Sequence, residues 1–313
     1  MSGSDVRMAV IGVGHLGRHH ARLLAAMPGV RLVGVVDTNV TRAEEVAASA
    51  GSTAHTAWRE LVGEVDAVTI AVPTDAHLDV ALGCIGAGIH VLVEKPLARS
   101  VAEADAMIEA AAARGVQLAV GHTERFNPAV MVARGLLRQP RFIEVHRLGT
   151  FPERSLDIDV VFDLMIHDLD LLLSIVAEPV VTVEAVGVPV LTPRIDIANV
   201  RLTFAGGCIA NLTASRISRD RVRKIRFFQP QSYLSIDYAA QEVEHWTLGL
   251  GPAGVPAIQG GKLDVVKDEP LRCELDDFVQ AVRGHRAPGV TGTQGRDALR
   301  LATTIVERMQ HVR

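Results

Sequence analysis

For the first 122 residues, short apolar runs alternate with stretches whose apolar positions recur at helical spacing, the pattern of a parallel sheet covered by helices. Met8–Ile11, Arg31–Val36, Ala67–Val72, His90–Val93 and Gln117–Gly121 read as strands. Between them, Leu16–Met27, Thr41–Ala50, Asp75–Ala87 and Ser100–Arg114 read as helices. Their ends carry chemical stops. Pro28 and Gly29 halt the first, Gly51 the second and Gly115 the fourth. Ser100 followed by Glu103 predicts a capping box, in which each side chain satisfies a backbone N–H at the helix start.

After His122 the rhythm changes. Helices are expected at Pro128–Leu137 and Phe162–Val176. Long β-like runs follow at Val180–Val190, Asn199–Phe204, Cys208–Ser215, Lys224–Phe228, Tyr233–Tyr238 and Glu242–Leu248. Ala205-Gly206-Gly207 reads as a hairpin turn. Gly249–Gly261 reads as a loop, and Cys273–Arg283 and Arg296–His311 as closing helices. The expected fold is therefore α/β over residues 1–122, joined to an α+β domain over 123–313 with a large, mostly antiparallel open sheet. An open sheet of that size needs a cover, which predicts a homodimer or homotetramer formed through it.

Composition narrows the partners. The formal net charge of -4 lacks the basic excess that phosphate-backbone binding requires, so nucleic acid is not expected. No apolar run approaches the roughly 18 residues of a membrane span, and no cleavable leader is visible. The three widely spaced cysteines predict reduced thiols in a cytoplasm, with neither a disulfide framework nor a metal site. Of the 32 basic residues only four are lysines, and Lys95 is the only one before Lys224.

Gly12-Val13-Gly14-His15-Leu16-Gly17 follows a predicted strand and opens a predicted helix, the context that makes this spacing a dinucleotide fingerprint. Gly12 suits the tight turn, Gly14 close approach of a pyrophosphate, and Gly17 helix–strand packing. Helix-start N–H groups then face the phosphate charge. Asp37 ends the second strand and suits the ribose hydroxyls, so NAD is expected as cofactor and the domain reads as a doubly wound Rossmann sheet. Arg42 nearby is read first as a solvated helix residue, with a moderating effect on this preference as the alternative.

Glu94-Lys95-Pro96 stands just beyond a strand, where parallel sheets bind ligands. A lysine can release its proton where arginine cannot, so Lys95 is a candidate for proton transfer; a surface lysine before a turn proline is the plain alternative. Asp163 and His167 lie one helical turn apart with Asp170 beyond, a spacing that lets a carboxylate orient an imidazole base. The alternative is a satisfied histidine on a core helix. His19 and His20 lack further ligands at metal spacing. Arg216, Arg219, Arg221, Arg223 and Lys224 form a basic run, either a solvated loop or a clamp on a phosphorylated substrate.

Taken in order, Gly12–Gly17, Pro73-Thr74-Asp75-Ala76-His77, Glu94-Lys95-Pro96 and Asp163-Leu164-Met165-Ile166-His167 resemble the glucose–fructose oxidoreductase / inositol dehydrogenase (Gfo/Idh/MocA) family over nearly the whole chain. The resemblance implies sugar or cyclitol hydroxyls as substrates. It implies Lys95 and His167 in proton transfer with Asp163 beside them. It also implies that Gly12, Gly14, His15, Leu16, Gly17, Asp37, Pro73, Thr74, His77, Glu94 and Lys95 form the cofactor site. Within the family, Val120–Ala129, Asp159–Asp170 and Ala210–Gln229 look like enzymes that oxidise the 3-hydroxyl of UDP-N-acetylglucosamine, on the way to a diamino-sugar lipid A. That likeness implies Arg125, Asn127, Arg147, Arg154, Asp163, His167, Arg216 and Arg219 as substrate residues, with the arginines meeting the diphosphate. Met165 stands where the family usually has glycine, a change expected to reshape the pocket. The rival expectations are another sugar or cyclitol such as myo-inositol, and a non-catalytic NAD-sensing protein.

Overall fold

The computed structural model describes residues 5–151, 157–251, 255–284 and 286–310. Arg154 lies outside the described residues. The chain forms two compact units, Met1–Thr123 with Leu271–Leu299, and Glu124–Pro270 with Arg300–Arg313.

In the first unit, β1 (Val6–Ile11), β2 (Val30–Val36), β3 (Thr53–His55), β4 (Ala67–Ile70), β5 (His90–Glu94) and β6 (Leu118–Gly121) form one sheet in the order β3-β2-β1-β4-β5-β6. Every pairing in it is parallel. This is the doubly wound order, which reverses direction between β1 and β4 and opens a ligand crevice at their carboxyl ends. The connecting helices are α1 (Gly17–Ala26), α2 (Val40–Ala50), α3 (His77–Gly86) and α4 (Val101–Arg114). Asn39 caps α2 by accepting from the Arg42 N–H at 3.0 Å, and Gly51 ends it in the left-handed conformation. At α4, Ser100 accepts from the Glu103 N–H as expected, but the Glu103 carboxylate takes the Arg99 N–H and guanidinium rather than closing the box on Ser100. The three-residue β3 was not anticipated.

The second unit opens with α5 (Pro128–Arg134) and β7 (Phe142–Leu148). A π-turn over Val161–Met165 runs into α6 (Ile166–Val176). Then come β8 (Val180–Val188), β9 (Ile197–Phe204), β10 (Ile209–Ser215), β11 (Val222–Gln229), β12 (Ser232–Asp237), β13 (Glu242–Leu250) and β14 (Pro256–Leu263). They form an eight-stranded sheet, β14-β13-β12-β11-β7-β10-β9-β8, antiparallel except where β7 runs parallel to β10. Inward-facing Ile143, Val145, Val200, Leu212, Ile225, Phe227, Leu234, Ile236 and Val243 are buried. Two of these strands correct the sequence expectation. β7, at the centre of the sheet, was not predicted, and β14 occupies a segment read as loop.

The last helices are α7 (Pro270–Gly284) and α8 (Gly292–Gln310). Leu275, Phe278, Val279 and Val282 of α7 join Met8, Val10, Leu24, Val35 and Leu92 in the first unit's core. The expected assignment of 123–313 to one domain is thus corrected: Leu271–Leu299 returns to the Rossmann unit, because the apolar stripe of α7 completes its core. Helix α8 starts four residues before the expected Arg296. Thr291 and Gln294 exchange side-chain bonds to each other's N–H at 3.0 and 3.3 Å, a capping box that fixes the earlier start.

Candidate active site

The glycine turn is built as a dinucleotide requires. Gly12 has φ +85°, and a Cβ there would lie 2.7 Å from the Val72 backbone nitrogen. A Cβ on Gly17 would stand 1.8 Å from the Gly12 carbonyl oxygen, so α1 packs against the turn only because position 17 has no side chain. Nothing lies within 4 Å of a Cβ on Gly14, which leaves its backbone open to a phosphate. His15 and Leu16 are exposed on the same turn. Asp37 is buried at the end of β2. Burial opposes its charge, but Arg42 and the N–H groups of Asn39 and Val13 outweigh that and hold its carboxyl below the usual range. An open glycine cradle beside a fixed carboxylate fits the pyrophosphate and ribose of NAD.

Five predicted cofactor residues sit at or just beyond the ends of β4 and β5. Pro73 is exposed and Thr74 half-buried. His77 is buried. Its Nδ1 lies 3.1 and 3.2 Å from the Pro96 and Leu97 carbonyls, and its Nε2 lies 3.0 Å from the Val72 carbonyl. The ring therefore ties the loop after β4 to the loop after β5, and burial pushes its pKa down. Glu94 is also buried, with one carboxylate oxygen 3.0 Å from His20 Nε2 and the other accepting the Lys95 N–H at 3.2 Å. Burial works against its charge, yet the His20 bond and the Lys95 charge hold its pKa below the usual carboxylate value. Glu94 and His77 thus act within the fold, whereas Lys95 is half-buried. His20, read as bland, is the residue missed. It lies on the buried face of α1 with Leu23 and Leu24, and sequence alone shows nothing of its partner.

In the second unit, Asp163 sits in the π-turn and His167 is the second residue of α6, both half-buried. Asp170 departs from the face expected with Asp163 and His167. Asp170 is fully buried against Arg125, at 2.6 and 2.9 Å. On the next turn position, Asp168 receives Arg147 at 2.6 and 2.8 Å, and Arg147 also reaches Glu124 at 3.0 Å. Burial opposes the Arg147 charge, but Asp168 and Glu124 outweigh it and keep the guanidinium protonated.

These ion pairs correct the substrate list. Arg125 and Arg147 are buried and spent on carboxylates. Arg216, also buried, holds Asp196 at 2.8 Å, the Ile158 carbonyl and the Thr192 hydroxyl. Asn127 caps α5 by accepting the Ala129 N–H and donates to the Tyr238 carbonyl. A diphosphate has nothing to gain from groups already satisfied inside the fold. Arg219 is exposed, as are Arg221 and Arg223 on the same stretch. Met165 is fully buried, so its side chain fills space inside the unit.

Residues 6–122 match the model described as "Oxidoreductase family, NAD-binding Rossmann fold", and residues 130–229 match the GFO/IDH/MocA C-terminal domain. The chain is 41% identical over 302 residues to a UDP-N-acetylglucosamine 3-dehydrogenase of Acidithiobacillus ferrooxidans, covering 96% of each. It is 29% identical to the NAD(+)-linked scyllo-inositol 2-dehydrogenase of Bacillus subtilis, covering 92% of this chain and 89% of that one. A solved structure of the Acidithiobacillus ferrooxidans enzyme superposes with TM-score 0.93 at 39% identity, covering 99% of both chains. Levoglucosan dehydrogenase with NADH and levoglucosan superposes at TM-score 0.87 with 20% identity over 98% of both, a likeness of fold.

Proposed function

The chain belongs to the Gfo/Idh/MocA oxidoreductases and is an NAD-dependent sugar dehydrogenase, and from that premise we propose that it oxidises the 3-hydroxyl of UDP-N-acetylglucosamine to the 3-keto sugar. The observation that carries the substrate is the 41% identity, over 96% of both chains, to an enzyme named for that reaction. The exposed Arg219 adds support, since a nucleotide diphosphate draws on cations at the surface.

The bound nicotinamide supplies the hydride acceptor, so the sugar loses one hydride and one hydroxyl proton in forming the carbonyl. Gly12, Gly14 and Gly17 shape the phosphate cradle, and Asp37 takes the ribose. His167 accepts the hydroxyl proton, with Asp163 orienting the ring, and the Lys95 ammonium steadies the alkoxide as it forms. The Glu94–Lys95 N–H bond fixes the backbone from which that ammonium projects. The product suits the lipid A diamino-sugar route. Burial pushes the thiols of Cys84 and Cys208 up to about 12 and about 11, which suits inert thiols in a reducing cytoplasm. We place copies of the chain together through the open face of the eight-stranded sheet.

The test is NADH absorbance with UDP-N-acetylglucosamine against myo-inositol. The nucleotide sugar should react with the higher kcat/KM, and Lys95→Ala and His167→Ala should each lower kcat by ~100-fold or more with NAD affinity nearly kept. Preference for myo-inositol overturns the substrate. Full activity in both variants removes these two residues from the chemistry.

A further inference from the structure

The carboxylate of Asp37 is fully subscribed. A carboxylate offers about four acceptor positions, two on each oxygen. Oδ1 takes the Asn39 N–H at 2.9 Å and Arg42 Nη2 at 2.8 Å. Oδ2 takes the Val13 N–H at 3.0 Å and Arg42 Nε at 3.0 Å. A ribose diol that donates to this carboxylate must displace two of the four. The Asn39 and Val13 donors are backbone groups, one at the cap of α2 and one inside the glycine turn. Arg42 is a long side chain 47% exposed to solvent, while the Asp37 side chain is 6% exposed. Only Arg42 can leave without unwinding the fold.

We infer that Arg42 holds the ribose-binding positions of Asp37 in the free enzyme and sets the cofactor selectivity: it gives way to the hydroxyls of NAD, and once released it meets the 2′-phosphate of NADP. Without that guanidinium, Asp37 repels a 2′-phosphate and the site takes NAD alone. With it, a planar fork matched to phosphate oxygens stands beside the carboxylate, and both cofactors bind. Arg42 therefore weakens NAD by competing for Asp37 and strengthens NADP by offsetting its charge.

The inference concerns the cofactor alone, so it is tested on the full chain with no sugar present and stands apart from the choice of substrate. Calorimetric titration of the free enzyme with NAD and with NADP gives both affinities, for the natural chain, Arg42→Ala and Arg42→Lys. NADP should bind the natural chain measurably. Arg42→Ala should tighten NAD ~3-fold or more and weaken NADP ~10-fold or more, the scale of one lost charge-assisted contact. Arg42→Lys should fall between, because a point charge replaces the fork. NAD affinity unchanged or weakened in Arg42→Ala overturns the displacement. A ratio of the two affinities that stays within about twofold of the natural value, or no NADP binding to the natural chain, overturns the selectivity.

Discussion

Gly12 and Gly17 act through backbone geometry alone, while His20 and Arg216 act through carboxylates distant in the chain. Gly12 and Gly17 announce themselves because only glycine fits where a Cβ would meet backbone at 2.7 or 1.8 Å. Nothing in the sequence says that His20 bonds Glu94, 74 positions away, or that Arg216 bonds Asp196. Asp196 shows what such a partner is worth. Burial opposes its charge, but N–H groups of Thr192 and Leu191, the Arg216 guanidinium and the Thr192 hydroxyl outweigh it and hold the carboxyl far below its usual range. A depressed pKa contributes stability above the ordinary carboxylate value, and that stability is lost as pH falls toward the folded-state value. Asp196→Asn leaves Arg216 buried without its counter-charge, a loss of about 3–5 kcal/mol near pH 7. Chemical unfolding of the second unit should show that gap at neutral pH and a narrowing gap from about pH 5 to about pH 2. A gap independent of pH would assign the loss to packing.

At the scale of elements, alternation failed where polar residues take inward positions. β7 alternates cleanly, with Ile143, Val145 and Arg147 pointing in, but the third is an arginine and no strand is expected there from the sequence. β14 carries Pro256, Gly260 and Gly261, yet pairs along the whole of β13. Helix α6 was legible in position, while its entry through a π-turn was not, because the extra residue shifts Asp163 off the simple one-turn spacing. What fixes α6 about its axis is a pair of buried ion pairs, Asp168 with Arg147 and Asp170 with Arg125. They flank Leu169 and follow His167 directly, so the imidazole is carried on a helix held about its axis. Arg125→Met should therefore lower the second unit's stability by about 3–5 kcal/mol, by stranding Asp170. Arg219→Ala should leave stability within about 0.5 kcal/mol and raise KM for the UDP-sugar. Parallel denaturation and kinetics on the two variants separate the roles. The reverse outcome restores Arg125 to the substrate and makes Arg219 a structural residue.

For the whole molecule, the order of elements was legible and their final allegiance was not. The apolar stripe of α7 fits any core, and only the folded chain shows that it completes the Rossmann unit with Phe278 and Val282. The open sheet poses the same question between chains. Its outward face has a polar centre, where Arg226 of β11 meets Glu144 of β7 at 2.7 Å. At one end it turns apolar: Leu248 is 54%, Leu250 74% and Ile258 76% exposed, with Leu248 and Ile258 directly paired across β13 and β14. At the other end Val186 and Val188 are exposed on β8. Apolar ends around a charged, self-complementary centre suit an isologous contact, in which each copy presents the same face. A stable contact of this kind buries about 1,200–2,000 Å² in total, within the reach of an eight-stranded face. Sedimentation at tens of micromolar should find a homodimer or a tetramer built from it. Leu248→Arg with Ile258→Arg should shift the chain to monomer while NAD still binds, because a charge placed on each side of a two-fold contact faces its own copy. A natural chain that sediments as a monomer leaves those exposed apolar side chains without a partner of their own kind, and the oligomer is lost.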